Sequence, residues 1–395
     1  MQHPLNKTGI FLLEALNSVA TTYYFYFIYF FMQERFGFGN MQNLALAAGS
    51  GFLYMLAAMF GGRFGQRKGY LFALGIGFGI MAVSLLVGTQ VNSVTGHLLV
   101  LAGCTIGMCF TWPNLEAAVS HGEPPLRLQR NVGIYNVVWA GGGAVAYFTG
   151  GALVEAGGGR GIFIVPAIVH IVQLALTFWL VRQSRQPARE SFRPLPLAIN
   201  PQPAEERARS PVSPERFLKM AWVANPFAYL AINAAVPVMP GIARKLELTP
   251  KLAGFFCSIW FFSRAAAFLL FWLWPGWHYR FRYLLAAYLA LIGAFGTILV
   301  SRNFGLLVGA QIVFGLALGL IYYSSLYYSM DASEDKGDHG GFHEAAIGAG
   351  NCSGPLIGAL ALYFLPGHPN SGVVAVCLAL AIGLAWLLRL RWAKV

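Results

Sequence analysis

The segment QSRQPARESFRPLPLAINPQPAEERARSPVSPER, residues 183–216, divides the chain near its midpoint. It is the one long stretch rich in Pro, Arg, Glu and Ser, and apolar runs of roughly twenty residues lie on both sides of it. A polar, Pro-rich segment of this kind cannot bury enough apolar surface to form a core of its own. We therefore interpret it as a connector between two membrane-embedded halves, residues 1–182 and 217–395.

The composition indicates an all-α integral membrane protein. The 395 residues are 57% hydrophobic and only 11% charged, whereas about a quarter of the residues in a soluble domain are charged. The first residues, MQHPLNKTG, are too few and too polar for a cleaved signal peptide, so the first apolar run is expected to remain as a helix.

The apolar runs predict twelve transmembrane helices, six on each side of the connector, because each run is long enough to cross a bilayer. They cover residues 8–32, 43–61, 69–88, 96–120, 131–155, 161–182, 217–240, 250–274, 283–300, 305–330, 342–365 and 371–391.

The net charge of +12 does not predict nucleic-acid binding, because the basic residues form no stripe with interleaved aromatic residues. They collect instead in alternate connections between the helices. The basic residues on the richer side, besides those of the connector, are Lys7, Arg63, Arg67, Lys68, Arg127, Arg130, Arg280, Arg282, Arg389, Arg391 and Lys394. The positive-inside rule places this side, the connector and both termini in the cytoplasm. We expect a bacterial inner membrane.

The two halves repeat each other at an offset of about 210 residues. Three pairs of segments match in order: GRFGQRKGYLFA (62–73) with PGWHYRFRYLLA (275–286), GMCFTWPNLEAAVS (107–120) with GLIYYSSLYYSMDAS (319–333), and GIYNVVWAGGGAVAYFTGG (133–151) with GFHEAAIGAGNCSGPLIGA (341–359). A parallel duplication of this kind predicts two pseudo-symmetric six-helix bundles.

The predicted loop after the second helix reads AMFGGRFGQRKGY, residues 58–70. It resembles the cytoplasmic signature of the major facilitator superfamily. The positions that match the signature are Arg63, Gly65, Arg67 and Lys68. Gly62 stands where the family has an Asp, which weakens the latch that this loop forms in family members or moves its partner elsewhere. The resemblance implies two six-helix bundles and a secondary transporter that works by alternating access.

A glycine-rich pattern on the eleventh predicted helix resembles the Gly-Pro motif that family members carry on helix five. Its residues are Gly350, Gly354, Pro355 and Gly358. Small residues at this spacing let two helices approach closely, so helix packing or a hinge is favoured over ligand contact.

Two ionisable residues lie inside apolar runs. Burying a charge in the bilayer costs free energy, and residues that do so are usually functional. Arg264 is near the middle of the eighth predicted helix and is expected to face a water-filled cavity, where it would bind an anionic substrate group or a carboxylate partner. Glu14 lies on a polar face of the first helix and is the first candidate for proton coupling; a structural carboxylate that pairs with Arg264 or hydrogen-bonds neighbouring helices is the alternative.

The resemblance implies that the first, fourth, seventh and tenth helices line a central cavity. The further residues predicted to bind substrate there are Asn17, Trp112, Asn225, Tyr229, Asn233 and Tyr323. The aromatic members would stack on a substrate, although helix packing explains them equally well.

Three further residues are candidates for proton coupling: Glu116, Glu344 and His170. The two carboxylates lie near the cytoplasmic ends of their helices, so gate hydrogen bonds or pairing with loop arginines are alternatives. His170 with Gln173 could form a relay, although a hydrogen-bonded interior histidine is the simpler interpretation.

No catalytic motif appears, and the five cysteines lie in apolar runs without metal-ligand spacing, so we expect neither enzyme activity, cofactor nor metal. The sequence predicts a monomeric transporter of a small amphipathic or anionic solute, with protons as the coupling ion. Symport and antiport are equally compatible with it. The alternatives are a lysolipid flippase on the same scaffold and a membrane sensor that transports nothing.

Overall fold

The computed structural model of the chain describes residues 6–123, 125–183, 212–331 and 336–392, and every regular element in these ranges is helical. Most of the predicted connector, residues 184–211, lies outside the described residues. The helices of the first half are α1 (Lys7–Phe36), α2 (Asn40–Lys68), α3 (Tyr70–Gly88), α4 (Val94–Ser120) and the segment Pro125–Gln183. Those of the second half are α7 (Pro214–Ala235), α8 (Met239–Lys245), α9 (Pro250–Cys257), α10 (Ile259–Leu273), α11 (Phe281–Val300), α12 (Phe304–Asp331), α13 (Lys336–Phe364) and α14 (Ser371–Trp392).

The segment Pro125–Gln183 contains two helices that meet at Gly158. This residue has φ 59° and ψ −169°, a conformation that only glycine adopts without strain. We call the arms before and after it α5 (125–157) and α6 (159–183). The connection between the fifth and sixth predicted helices is therefore a single glycine, shorter than the five residues expected from the sequence.

Two predicted helices of the second half are interrupted. The eighth is divided at Ser258 into α9 and α10, and the Thr249 side chain caps α9 by accepting a hydrogen bond from Leu252 N at 3.3 Å. The seventh begins at Pro214, inside the predicted connector, and ends at Ala235. A 3₁₀ turn, Val236–Val238, follows it and contains Pro237, which lacks the N–H that a continuing helix requires.

Ten stretches of the described chain are long and apolar enough to cross a membrane, and one of them, Arg130–Gln183, contains parts of both α5 and α6. The helix α1 is not among the ten, although it has 30 residues. Its tyrosines and its buried polar face, which includes Glu14, Asn17 and Ser18, lower its hydropathy. Counting α1 and both arms of the divided segment, the architecture is consistent with twelve membrane helices.

The two halves meet along two seams. In the first seam α2 packs against α13, and Gly51 lies so close to the backbone of Asn351 that a Cβ would overlap it. In the second seam α5 packs against α9 and α10, with Gly151 against the carbonyl of Pro250. Glycines therefore allow the closest approaches between the halves.

The glycine motif of α13 lies against two neighbours. Gly350 and Gly354 face the backbone of α7, where Leu230 leaves no room for a Cβ on Gly354. Gly358 faces Leu44 of α2, with Leu44 Cδ1 3.3 Å from the position that a Cβ would take. The motif therefore occupies helix interfaces.

We expect Gly51→Ala and Gly49→Ala to change stability in opposite directions. Over-packing a close interface costs about 1–3 kcal/mol, and a Cβ on Gly51 meets the Asn351 backbone, which cannot rotate away. Gly49 has no atom within 4 Å of the corresponding position, so alanine there gains roughly 0.5–1 kcal/mol of helix propensity. Thermal unfolding of the purified proteins in one detergent measures both changes. Equal Tm values for the two variants would contradict the tight α2–α13 seam.

Candidate substrate-binding site

A central cavity of about 200 Å³ lies between the two halves. The first half contributes side chains from α1, α2, α4 and α5, and the second half from α7, α10, α12 and α13. The wall is mainly aromatic. Its aromatic residues are Phe25, Tyr26, Tyr29, Tyr54, Trp112, Tyr135, Trp139, Tyr229, Phe261 and Tyr322.

Arg264 of α10 lines this cavity and is only 3% exposed. Four aromatic rings surround its guanidinium carbon, at 4.7 Å from the Trp139 centroid, 5.2 Å from Tyr322, 5.5 Å from Phe268 and 5.6 Å from Tyr229. The ring faces attract the cation, and each such contact contributes about 0.5–2 kcal/mol. The aromatic residues therefore hold the guanidinium at the cavity wall.

The charge of Arg264 has no acidic counterpart among the described residues. No described Asp or Glu carboxylate lies within ion-pairing distance of the guanidinium. Within the described residues, Nη2 donates to the Tyr229 hydroxyl at 3.4 Å, and the buried Nε finds no acceptor. A buried cation is unfavourable unless it is paired. Among the described residues, the contacts of this cation are the four aromatic rings and the Tyr229 hydroxyl.

A pair of amides forms a second polar feature of the wall. Asn233 Nδ2 of α7 donates to Asn351 Oδ1 of α13 at 2.7 Å and to the Tyr229 carbonyl at 3.0 Å. Both asparagines line the cavity. Asn233 lies one helical turn from Tyr229, the tyrosine that contacts Arg264.

Glu14 lies behind the wall rather than on it. Its carboxyl group is fully buried, and Oε1 accepts a hydrogen bond from Ser18 Oγ at 2.8 Å. The Tyr135 side chain of α5 lies beside this carboxyl group, whose Oε2 has no hydrogen-bond partner among the described residues. Tyr135 itself lines the cavity, so this side chain connects the buried carboxyl group with the cavity.

The family follows from the sequence itself. The sequence profile of the Major Facilitator Superfamily matches residues 10–228, more than half of the 395 residues. The chain belongs to the Major Facilitator Superfamily. The family assignment confirms the resemblance seen in the signature residues, and the subfamily is not identified.

Solved transporters share the Major Facilitator Superfamily fold with this chain. A bacterial homologue of the human lysosomal transporter Spinster, in an inward-facing and occupied conformation, is similar with a TM-score of 0.72 and 15% identity over 98% of this chain and 96% of that one. The nucleoside transporter NupG gives a TM-score of 0.68 and 12% identity over 98% of this chain and 99% of that one. The human organic anion transporter MFSD10 (TETRAN) gives a TM-score of 0.65 and 15% identity over 96% of this chain and 98% of that one. Identities this low establish the fold alone.

One curated relative is the multidrug resistance protein MdtG of Dickeya zeae (strain Ech586), which is 29% identical over 136 residues. The match covers 34% of this chain and about a third, 33%, of the length of that relative. It agrees with the superfamily assignment.

Of the residues predicted to bind substrate, four line the cavity of this superfamily member: Arg264, Trp112, Tyr229 and Asn233. Tyr323 lies elsewhere, because its ring packs against Trp277 at 5.7 Å and against Phe268 at 6.3 Å. Asn17 and Asn225 are buried off the cavity wall, and neither side-chain amide has a hydrogen-bond partner in the part of the chain that the structure describes. Asn17 and Asn225 were predicted from the polar stripes of their helices and Tyr323 from its repeat position beside Trp112; all three lie off the cavity wall.

Among the remaining candidates for proton coupling, Glu116 lines the cavity beside Trp112. His170 lies in the interior of the first half, where Nδ1 bonds Gln173 Oε1 at 2.7 Å and its ring stacks on Phe78. It is a hydrogen-bonded interior histidine away from the cavity. The side chain of Glu344 lies outside the described residues.

The superfamily signature does not form a loop in this chain. Its residues, Gly62, Arg63, Gly65, Arg67 and Lys68, occupy the last turns of α2, and Gly69 alone separates this helix from α3. Gly65 lies against the side chain of Asn114 of α4, which also donates to the Gly61 carbonyl at 3.0 Å. The prediction that these residues form a loop was therefore wrong; the helix continues because α4 packs along it.

Sequence reasoning missed Tyr135, Trp139 and Asn351, which line the cavity. The repeat contained a signal for Trp139. At the offset of 208 residues Trp139 corresponds to Ile347, and both lie on the cavity wall. The repeat therefore relates the two positions to each other, but it does not by itself place either of them at the cavity.

Proposed function

We propose that this protein is a secondary active transporter that moves a small organic solute with an anionic group by alternating access. The observation that carries the proposal is Arg264, a buried guanidinium that faces the central cavity and has no carboxylate partner among the described residues. An anionic group entering the cavity would complete its electrostatic environment, and the aromatic wall would hold the apolar part of the same molecule.

The seams between the halves support alternating access. The cavity lies between the halves, and glycines form the closest contacts of the α2–α13 and α5–α9 seams. Interfaces built on small residues and van der Waals contact contain few strong bonds that a rocking motion would have to break. Rocking about the substrate is the motion that repeated bundles of this type allow.

Glu14 supports coupling to protons. Burying a carboxyl group inside the membrane costs free energy, and residues of this kind are usually functional. Glu14 lies beside Tyr135, which lines the cavity. We therefore assign the coupling ion as the proton, in a monomer whose termini and connector face the cytoplasm.

Two measurements test the proposed function. A thermal-shift screen of the purified protein against organic anions, neutral drugs, cations and lysolipids should show stabilisation by organic anions. With the stabilising anion in proteoliposomes, an imposed pH gradient should drive its accumulation or its expulsion, and the direction distinguishes symport from antiport. Transport that ignores the pH gradient would contradict proton coupling, and stabilisation by lysolipids in place of soluble anions would favour a flippase.

A further inference from the structure

A continuous band of aromatic rings on the cavity wall starts at Arg264. The Trp139 ring lies over the guanidinium at 4.7 Å. From Trp139 the band continues to Trp112, with the ring centroids 6.1 Å apart, and to Phe261 at 6.0 Å. The Tyr26 ring lies 5.9 Å from Phe261 and completes the band. Trp112 and Tyr26 line the cavity and are only partly buried, so part of each ring can contact a ligand.

The apolar wall of the cavity is more aromatic than aliphatic. Ten aromatic residues line it, and its other apolar side chains are Ala47, Met108, Ile232, Val236 and Ile347. An aliphatic wall holds any apolar group of fitting shape, because the hydrophobic effect has no direction. Ring faces and ring edges carry opposite partial charges and therefore favour another ring in offset-stacked or edge-to-face contact. Each such contact strengthens binding about two- to tenfold beyond the effect of the buried area.

The volume of the cavity limits the ligand to one ring. Pockets for drug-sized ligands enclose roughly 300–1,000 Å³, whereas this cavity encloses about 200 Å³. That space equals about seven water molecules of roughly 30 Å³ each. A single ring with a short substituent fits into it, and a second ring would require the close-packed wall to move.

The wall accommodates one negative charge. Of the described side chains that line the cavity, Arg264 is the only cation. Its guanidinium is a planar fork of N–H donors, which matches the geometry of a carboxylate. A second anionic group on the same ligand would lie on the aromatic wall beyond this cation. Burying such an unpaired charge is unfavourable.

We propose that the substrate is a monocarboxylate with a single aromatic ring, whose carboxylate binds Arg264 and whose ring lies against the aromatic band. This inference rests on the proposed function and specifies its substrate class. Trp112 is then a specificity-determining residue. Its ring contacts Trp139, which in turn contacts the guanidinium, so Trp112 acts on the ring of the ligand more than on its charge.

The test compares matched probes in calorimetric titrations of the purified full-length protein. Two pairs differ in the saturation of the ring: benzoate with cyclohexanecarboxylate, and 3-phenylpropanoate with 3-cyclohexylpropanoate. We expect wild type to bind at least one aromatic member about tenfold or more tightly than its saturated partner, which buries a similar apolar area. Terephthalate has a second carboxylate and biphenyl-4-carboxylate a second ring, and each should bind at least about tenfold more weakly than the better aromatic monocarboxylate.

Two variants locate the preference for an aromatic ring. Trp112→Leu should reduce this preference at least about twofold, because it removes one ring contact and weakens the aromatic probe more than the saturated probe. A merely structural effect would weaken both members of a pair equally. Trp386→Leu makes the same substitution at an exposed position of α14 and should preserve the preference. An unchanged preference in Trp112→Leu would overturn the role of this residue.

The outcomes separate this inference from the proposed function. Equal binding of the aromatic and saturated members of both pairs, or tighter binding of terephthalate or biphenyl-4-carboxylate, would overturn the inference and leave the anion site intact. If no aromatic monocarboxylate binds at concentrations up to its solubility limit, the inference is also wrong, whichever other anion stabilises the protein. Binding of the anions that is unaffected by Arg264→Ala would instead overturn the proposed function.

Discussion

Replacing Arg264 with Ala should weaken binding of an anionic ligand by at least about 30-fold, since truncating one partner of a buried hydrogen-bonded charge pair costs about 2–5 kcal/mol. The guanidinium is 3% exposed and faces the cavity between aromatic rings, so bulk water cannot replace it as a partner for the anion. The ligand-dependent rise in Tm should disappear, and transport in proteoliposomes should fall to the level of empty vesicles.

The same substitution should leave the empty protein folded. The variant loses the contacts of the guanidinium with four rings, but it also loses a buried cation whose Nε has no acceptor among the residues described. These changes oppose each other. Arg264→Lys keeps the charge and loses the planar fork, so it should bind more weakly than wild type and more tightly than the Ala variant. Arg302→Ala removes an exposed arginine and serves as the matched control. An unchanged ligand affinity in Arg264→Ala would remove this residue from the site.

The sequence was sufficient to predict the helices and the residue of greatest chemical interest, because both depend on local composition. An apolar run of roughly twenty residues has few alternatives to a membrane helix, and an arginine inside such a run requires water or a partner. Arg264 was predicted to face a cavity for that reason, and the structure places it there.

The aromatic wall could not be predicted in the same way. A Trp or Tyr in an apolar run is compatible with both lipid-facing and interior positions. Composition therefore does not distinguish Trp139, which lies over Arg264, from Tyr323, which packs against Trp277. The polar face of α1 is a related case, because its polarity predicted that its residues line the cavity. Glu14 and Asn17 share that face, yet both are buried off the cavity wall, and Glu14 lies beside Tyr135, a residue of another helix that lines the cavity. Such contacts depend on how helices pack, which a single sequence does not contain.

Replacing Glu14 with Gln should separate substrate binding from proton coupling. Gln has nearly the same shape and keeps an oxygen that can accept the hydrogen bond from Ser18 Oγ, but it cannot take up or release a proton. Because Glu14 lies behind the wall, substrate affinity should change little. A gradient of one pH unit supplies about 1.4 kcal/mol per coupled proton, which supports about tenfold accumulation. The variant should lose this accumulation and retain exchange of labelled for unlabelled substrate, both measured in proteoliposomes.

Two variants define the specificity of that result. Glu34→Gln changes an exposed carboxylate on the same helix and should accumulate substrate as wild type does. Tyr135→Phe removes the hydroxyl that joins Glu14 to the cavity, so it should slow gradient-driven transport more than exchange. Accumulation that persists in Glu14→Gln would place the coupling proton on another group. Loss of exchange together with accumulation would instead show that Glu14 is needed for the conformational cycle itself, since an isosteric neutral side chain preserves the packing of α1 against α5 and leaves the anion site at Arg264 intact.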